Sequence, residues 1–349
     1  MSEDSATAAD VSWAMDQILE DRATSAQIAA FVTALRTRGE SPEHVQAIVE
    51  SMLAHANRVE RSSRPDVVVD IVGTGGDGSN SVNISTMAAL VTAAAGAPVI
   101  KHGNRAASSA TGSADALEAL GIRLELDGDQ VAACVTEAGI GFCFAPAFHS
   151  ALRFAGPTRR ELGVPTVFNI VGPLANPAEP EAMLVGCARA ESAPVMAQVL
   201  LGRGTSALVV RGDDGLDEIS TSTTTRVWDA TGDEVVESTV DARDWGIRGT
   251  DPALLVGGSP ERNVELLRMT LDPHVPNDDL TKIEAIRDAV VVNAAAALTA
   301  YDAAVGVSDG DASLSERIAG RIPRARAALE SGEAWQLVET WIQVSERFG

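Results

Sequence analysis

The chain is short of lysine, of aromatic side chains and of cysteine, and each shortage excludes something. Lys101 and Lys282 are its only lysines, and 27 Lys and Arg stand against 49 Asp and Glu, a formal net charge of −22. Surfaces that grip duplex nucleic acid or an anionic membrane need clustered cations, so neither is expected as a partner. Any anion held here must find a local positive site within a repelling field. Aromatics are 4% of 349 residues, and much of the 45% apolar content is alanine, which favours closely packed helices over a β-sandwich. Cys134, Cys143 and Cys187 are odd in number and lack metal-ligand spacing, so reduced, buried thiols in a cytosolic protein are expected. The longest mostly apolar run, Met87 to Ile100, contains Gly96 and Pro98 and is too short to span a bilayer. The acidic, polar start MSEDSATAAD is not a secretory signal. A cytoplasmic location follows as the expectation.

What is present divides the chain in two. Residues 9 to 57 carry only helical periodicity, with Ile18, Ile28, Phe31, Val32 and Leu35 at helical spacing and a start signal at Ser41-Pro42-Glu43. Arg58 to Pro65 reads as a linker. From Val67 the texture alternates. A buried strand Val67 to Val72, broken only by Asp70, precedes a glycine-rich turn and a helix Ser85 to Ala95. Then come a strand Pro98 to Ile100, a helix Ser113 to Leu120, strands Ile140 to Phe144 and Met183 to Cys187, a helix Pro194 to Leu201 and a strand Ala207 to Val210. Strands separated by helices predict an α/β fold with a mostly parallel central sheet. Residues 146 to 180 read as an excursion back to the helical unit. A hairpin Val227 to Val236 around Gly232 follows, and closing helices include Asp288 to Tyr301 and Ser313 to Glu330.

Four segments carry chemistry. Gly73-Thr74-Gly75-Gly76-Asp77 follows the first strand, and its glycines let backbone N–H groups approach a ligand closely. It matches neither the dinucleotide fingerprint nor the Walker spacing, and an ordinary glycine turn is the alternative. Asn83-Ile84-Ser85-Thr86 opens the next helix, where hydroxyls and free N–H groups make an anion cradle, simple capping being the alternative. Lys101-His102-Gly103-Asn104-Arg105, followed by Ser108 and Ser109, lies after the second strand, where ligand sites of parallel sheets form. Gly212 to Ser220 is acidic. Asp213 and Asp214 read as a solvated turn, whereas Asp217 and Glu218 suit Mg²⁺, a hard ion that prefers oxygen and bridges phosphates.

In this order, VGTGGD, NIST, KHGNRAAS and GDDGLDEIST resemble the motifs of the anthranilate phosphoribosyltransferases, within the nucleoside phosphorylase and phosphoribosyltransferase family. The likeness continues through ATSAQIAAFVTALRTRGES, FAPAFH, RRELGVPTVFNIVGPLANP and VVVNAAAAL, and so spans the chain. It implies a small helical domain, residues 1–66 with part of 146–180 packed on it, and an α/β catalytic domain, residues 67–349. The resemblance also implies a homodimer joined through the helical domains, as is typical of members. Carried over by resemblance, Gly73, Gly76, Asp77, Ser81, Asn83, Ser85, Thr86, Lys101, Gly103, Ser109 and Ser113 surround 5-phosphoribosyl 1-diphosphate. Ser85, Asp217 and Glu218 match Mg²⁺ ligands. Asn104 and Arg159 match positions that contact anthranilate, with His102 nearby. No catalytic triad is implied, and Lys101 and His102 are the candidates for direct help to the chemistry.

Two positions leave the family pattern: Ser150 stands where proline is usual, and Phe154 where histidine is. Both flank the acceptor side, which keeps open a relative using another aromatic acceptor. A pyrimidine nucleoside phosphorylase is disfavoured because its loop reads KHSTGG where this chain has KHGNRA. A non-catalytic nucleic-acid-binding relative is disfavoured by the net charge.

Overall fold

The computed structural model describes residues 6–106, 110–276 and 279–348. Three helices come first: α1 (Ala8–Leu19), α2 (Ser25–Arg38) and α3 (Pro42–Ala54). The predicted start of α3 is real, since the Ser41 side chain accepts from His44 N and Pro42 occupies the first turn.

The α/β part then alternates β1 (Val69–Gly73), α4 (Ile84–Ala94), β2 (Val99–Gly103), α5 (Ser113–Ala119), α6 (Gly128–Ala138) and β3 (Ile140–Phe144). β1 begins two residues later than predicted, because the Val68 N–H is taken by the Glu181 carboxylate at 3.1 Å. The excursion follows as α7 (Ala145–Phe148), α8 (Gly156–Leu162) and α9 (Phe168–Leu174), before β4 (Ala182–Gly186), α10 (Ala193–Gly202) and β5 (Ser206–Gly212). The predicted hairpin is β6 (Thr225–Ala230) with β7 (Val236–Val240), and α11 (Pro260–Leu271), α12 (Leu280–Ala304), α13 (Leu314–Glu330) and α14 (Glu333–Glu346) close the chain.

One seven-stranded sheet runs in the order β3-β2-β1-β4-β5-β6-β7. The first five strands are parallel and the last two pairings antiparallel. Alternating side chains feed two cores. Ala182 and Leu184 of β4 join α4, α6 and α12 to α14 on one face. Met183 and Val185 join α10 on the other, in a core that also takes Val11, Met15, Ile48 and Met52 of the first helices and Phe168, Ile170 and Val171 of α9. Part of residues 146–180, from Ala155 to Ala175, therefore shares its buried apolar side chains with the helical unit, while Phe148 and Ala178 join the other core. Among the described residues no helix is long and apolar enough to cross a membrane.

Candidate active site

β1, β2 and β4 each end on a glycine, and above them opens a cleft of about 370 Å³. A parallel sheet puts the ends of its strands and the starts of its helices on one edge, which is why these segments meet. Lining it are Gly73 to Asp77, Ser79 to Ser85, Lys101 to Ala106, Thr111 to Ser113, Arg159, Asp217 and Glu218.

Glycine here makes room for one aspartate. A Cβ on Gly73 would stand 2.4 Å from Asp217 Oδ2, and one on Gly186 would stand 1.6 Å from the Asp217 carbonyl oxygen. Asp217 can then accept from Gly75 N at 2.7 Å. Gly75 and Gly76 have φ of +64° and +79°, which L side chains rarely adopt.

The start of α4 completes the cradle. Asn83 stands at the N-cap without a side-chain capping bond and Ser85 lies inside the helix, so capping explains neither. Asn83 instead donates to Thr111 O at 3.2 Å and accepts from Asn263 Nδ2 at 2.9 Å. The Ser85 N–H reaches the Glu218 carboxylate, and Lys101 Nζ donates to Ser85 Oγ at 3.2 Å and to the Ile71 carbonyl. Thr86 departs from expectation. It is 1% exposed and does not line the cleft, because one residue along a helix turns about 100° away from Ser85.

Lys101, His102 and Gly103 are also placed differently from the predicted loop. They form the second half of β2, paired to Phe142, Cys143 and Phe144 of β3. The Lys101 and His102 side chains are therefore buried at the cleft floor. Burial pulls the Lys101 pKa down, while Asp70, Glu218 and Asp217 favour its charged form. Burial and then His149 push His102 down to about 3, so its ring is neutral at physiological pH. Its Nδ1 stands 3.1 Å from Gly172 O, an atom that only accepts, so Nδ1 carries the proton and Nε2 is left as a lone pair without a partner. Ser109 lies outside the described residues.

In the acidic segment, Asp213 and Asp214 lie on the turn. Asp214 accepts from Ser220 Oγ at 2.7 Å and Asp213 from Thr224 Oγ1, so both are spent on the turn. Burial, and then the neighbouring Asp77 carboxylate, raise Asp217 to about 6. Burial and then Asp217 push Glu218 well above the carboxylate range. Asp77 Oδ2 is itself buried with no donor. Burial and mutual repulsion work against the charge on Asp217 and Glu218 and a nearby cation would relieve both, so the donor set fits Mg²⁺. Among the described residues no three His, Cys, Asp or Glu side chains are placed to hold a metal alone. Further oxygens must come from Ser85, water or a ligand.

The opposite wall comes from the excursion and the first helices, through Met52, Ala145, His149, Leu152, Phe168, Val171 and Pro173. Arg159 lies here, half-buried, 5.1 Å above the Phe168 ring and without an ion pair among the described residues. Burial lowers its pKa, and nothing offsets the charge. Arg105, by contrast, is tied to Asp115 and Glu118. Sequence reasoning missed His149, Phe168 and the asparagines behind the cleft. The runs FAPAFH and FNIVGPLANP held the local signals for this wall.

Among the described residues, a glycine cradle, the start of α4, a buried lysine and a crowd of carboxylates face Arg159 across one cleft at the sheet edge, an arrangement that suits a phosphate-bearing ligand. Comparison with known proteins gives the particulars. Residues 65–335 match the α/β domain, and residues 1–56 the helical bundle domain, of the glycosyl transferase family. The chain belongs to that family. It is 52% identical to the anthranilate phosphoribosyltransferase of Nocardia farcinica, over 98% of this chain and 96% of that protein. The crystal structure of anthranilate phosphoribosyltransferase from Thermus thermophilus superposes with a TM-score of 0.86 at 36% identity, covering 98% of this chain and 96% of that one. The Saccharomyces cerevisiae enzyme in complex with PRPP and Mg follows at 0.84 and 26%, covering 98% and 94%, and it has also been solved with 4-fluoroanthranilate.

Proposed function

We propose that this chain transfers the phosphoribosyl group of 5-phosphoribosyl 1-diphosphate to anthranilate, giving N-(5-phosphoribosyl)anthranilate and pyrophosphate in tryptophan biosynthesis. The observation that carries this is the cleft itself, which faces an anion cradle with a separate, unpaired Arg159 across about 370 Å³. The two ends suit the two anionic substrates.

The diphosphate rests on the N–H groups around Gly73, Gly76 and Asp77 and at the start of α4, with Ser81, Asn83, Ser85, Lys101, Gly103 and Ser113 around it. Arg159 receives the acceptor carboxylate in a charge-assisted pair, beside Asn104 and His102. Asp217, Glu218 and Ser85 would hold Mg²⁺, and the ion would supply positive charge against the leaving diphosphate. An aromatic amine is already a nucleophile. Its nitrogen bonds to the anomeric carbon as the bond to diphosphate breaks, and one N–H proton is lost. Catalysis then rests on alignment of the two substrates and on fixed dipoles around the departing charge. A neutral His102 beside the acceptor adds no cation to compete with Arg159. The family likeness further supports a homodimer joined through the helical domain of residues 1–66, and a cytoplasmic location.

The test mixes the protein, Mg²⁺, 5-phosphoribosyl 1-diphosphate and anthranilate and follows loss of anthranilate fluorescence. The wild type should turn over only with Mg²⁺. A variant carrying Asp217→Ala and Glu218→Ala should keep its far-ultraviolet circular dichroism and lose at least about 100-fold in rate, roughly 2.7 kcal/mol. No loss of fluorescence in the wild type overturns the acceptor, and an unchanged variant overturns the metal ligands.

A further inference from the structure

α12 carries one polar side chain in the middle of an apolar run, Val290-Val291-Val292-Asn293-Ala294-Ala295-Ala296-Ala297, and Asn293 is fully buried. Asparagine here serves the helix poorly, since alanine is the better helix former by about 0.5 kcal/mol. Its bonds point elsewhere. Asn293 Oδ1 accepts from Ile219 N at 2.9 Å, and Nδ2 donates to Ile219 O at 3.2 Å and to Ala289 O at 2.9 Å. One side chain thus takes both backbone polar atoms of the residue that follows Glu218.

That stretch needs such a partner. Residues 213–224 between β5 and β6 belong to no strand, and Ile219 is fully buried, so its backbone groups have no water to turn to. Asp217 is fixed from the sheet side by the bare ledges of Gly73 and Gly186 and by the Gly75 N–H. Ile219 is fixed from the helix side by Asn293. Glu218 lies between these two anchors, carboxylate toward the start of α4.

We infer that Asn293 is a positioning residue that holds the Asp217–Glu218 segment in its metal-binding arrangement before Mg²⁺ arrives. This rests on the reading of the cleft as a Mg²⁺-dependent phosphoribosyl transfer site. Pre-organisation of this kind spares the ion the work of ordering its ligands.

Three measurements test it on the full chain. In the wild type without Mg²⁺, hydrogen exchange at the Ile219 amide should be as slow as in the core of α12. Exchange at the rate of an open loop overturns the inference, whatever any variant does. Asn293→Ala, and Asn293→Asp as the volume-conserving alternative should alanine not fold, should raise the Mg²⁺ concentration for half-maximal binding at least tenfold. Calorimetry in the presence of 5-phosphoribosyl 1-diphosphate reads this directly, and high Mg²⁺ should restore turnover. Leu298→Ala, a cavity in the same helix away from the cleft, should lower the melting temperature and leave the Mg²⁺ midpoint unchanged. An Asn293 variant that behaves like Leu298→Ala shows a merely structural role and overturns the inference. A wild type indifferent to Mg²⁺ overturns the functional reading instead.

Discussion

At the scale of single residues, Arg159 is the sharpest commitment. It is half-buried, packed on Phe168 and left without a counter-ion in a protein with 22 excess negative charges. A cation that has given up hydration without gaining a partner is waiting for an anion. Arg159→Ala should raise the KM for anthranilate by roughly 10- to 100-fold, the worth of a charge-assisted pair. The KM for 5-phosphoribosyl 1-diphosphate should stay within about twofold; steady-state kinetics with each substrate varied decides, and a selective loss for the diphosphate contradicts the assignment. Nothing local in the sequence marked Arg159, since an arginine in Arg159-Arg160-Glu161 reads as a surface cation. Glycine and lysine motifs were legible because their chemistry is local: a turn that needs positive φ, or a rare residue at a strand end. Thr86 was misplaced because adjacent polar residues at a helix start look alike until the helix fixes which one faces out. The bonding roles of Asn176, Asn263 and Asn293 were hidden for the opposite reason. Each completes hydrogen bonds to residues 74 or more positions away, which no short window contains.

Elements meet at Asp70, which the sequence showed only as a break in a β-branched run. It lies in mid-β1, fully buried, and accepts from His102 N of β2 at 3.2 Å and from Asn176 Nδ2 at 2.9 Å. Asn176 also donates to Ile100 O at 2.8 Å, so one carboxylate and one amide lock β1, β2 and the end of the excursion together under the cleft floor. Burial raises Asp70 to about 6 from 3.8, although Lys101 and these hydrogen bonds oppose it. A folded pKa above the unfolded one gives stability that is complete below pH 3.8 and lost as pH rises through 6. The loss comes to about 3 kcal/mol, at roughly 1.4 kcal/mol per pKa unit. Asp70→Asn carries a constant penalty, because its amide faces the Asn176 amide, but no titration. The stability of wild type minus that of the variant, from urea unfolding between about pH 4 and 7, should therefore fall by roughly that amount as pH rises. A flat difference would show that Asp70 stays ionised throughout. Strand extents show the same limit of local reading: β2 runs three residues beyond its apolar stretch, because its pairing with β3 carries Lys101, His102 and Gly103 into the sheet.

For the whole molecule, the proposed homodimer would bring together two copies, each with a formal charge of −22. Mutual repulsion opposes a dimer, so its interface must bury enough apolar surface to win. α1 presents one candidate. Val11, Met15, Ile18 and Leu19 turn inward at helical spacing, while Trp13 on the other side is 66% exposed, the most exposed large apolar side chain among the described residues. A tryptophan buried at an interface is a common centre of binding energy, and truncating one typically costs at least about 2 kcal/mol. Light scattering at micromolar concentration should give twice the 36.2 kDa of one chain, and Trp13→Glu should shift the mass toward a single chain. Because repulsion between the copies is long-ranged and the apolar contact is not, added salt should tighten the dimer. Raising ionic strength from about 0.01 M to about 0.1 M shortens the screening length from roughly 30 Å to roughly 10 Å. A wild type that stays monomeric throughout refutes the dimer. One that dissociates with added salt shows that ion pairs, not α1, join the two copies.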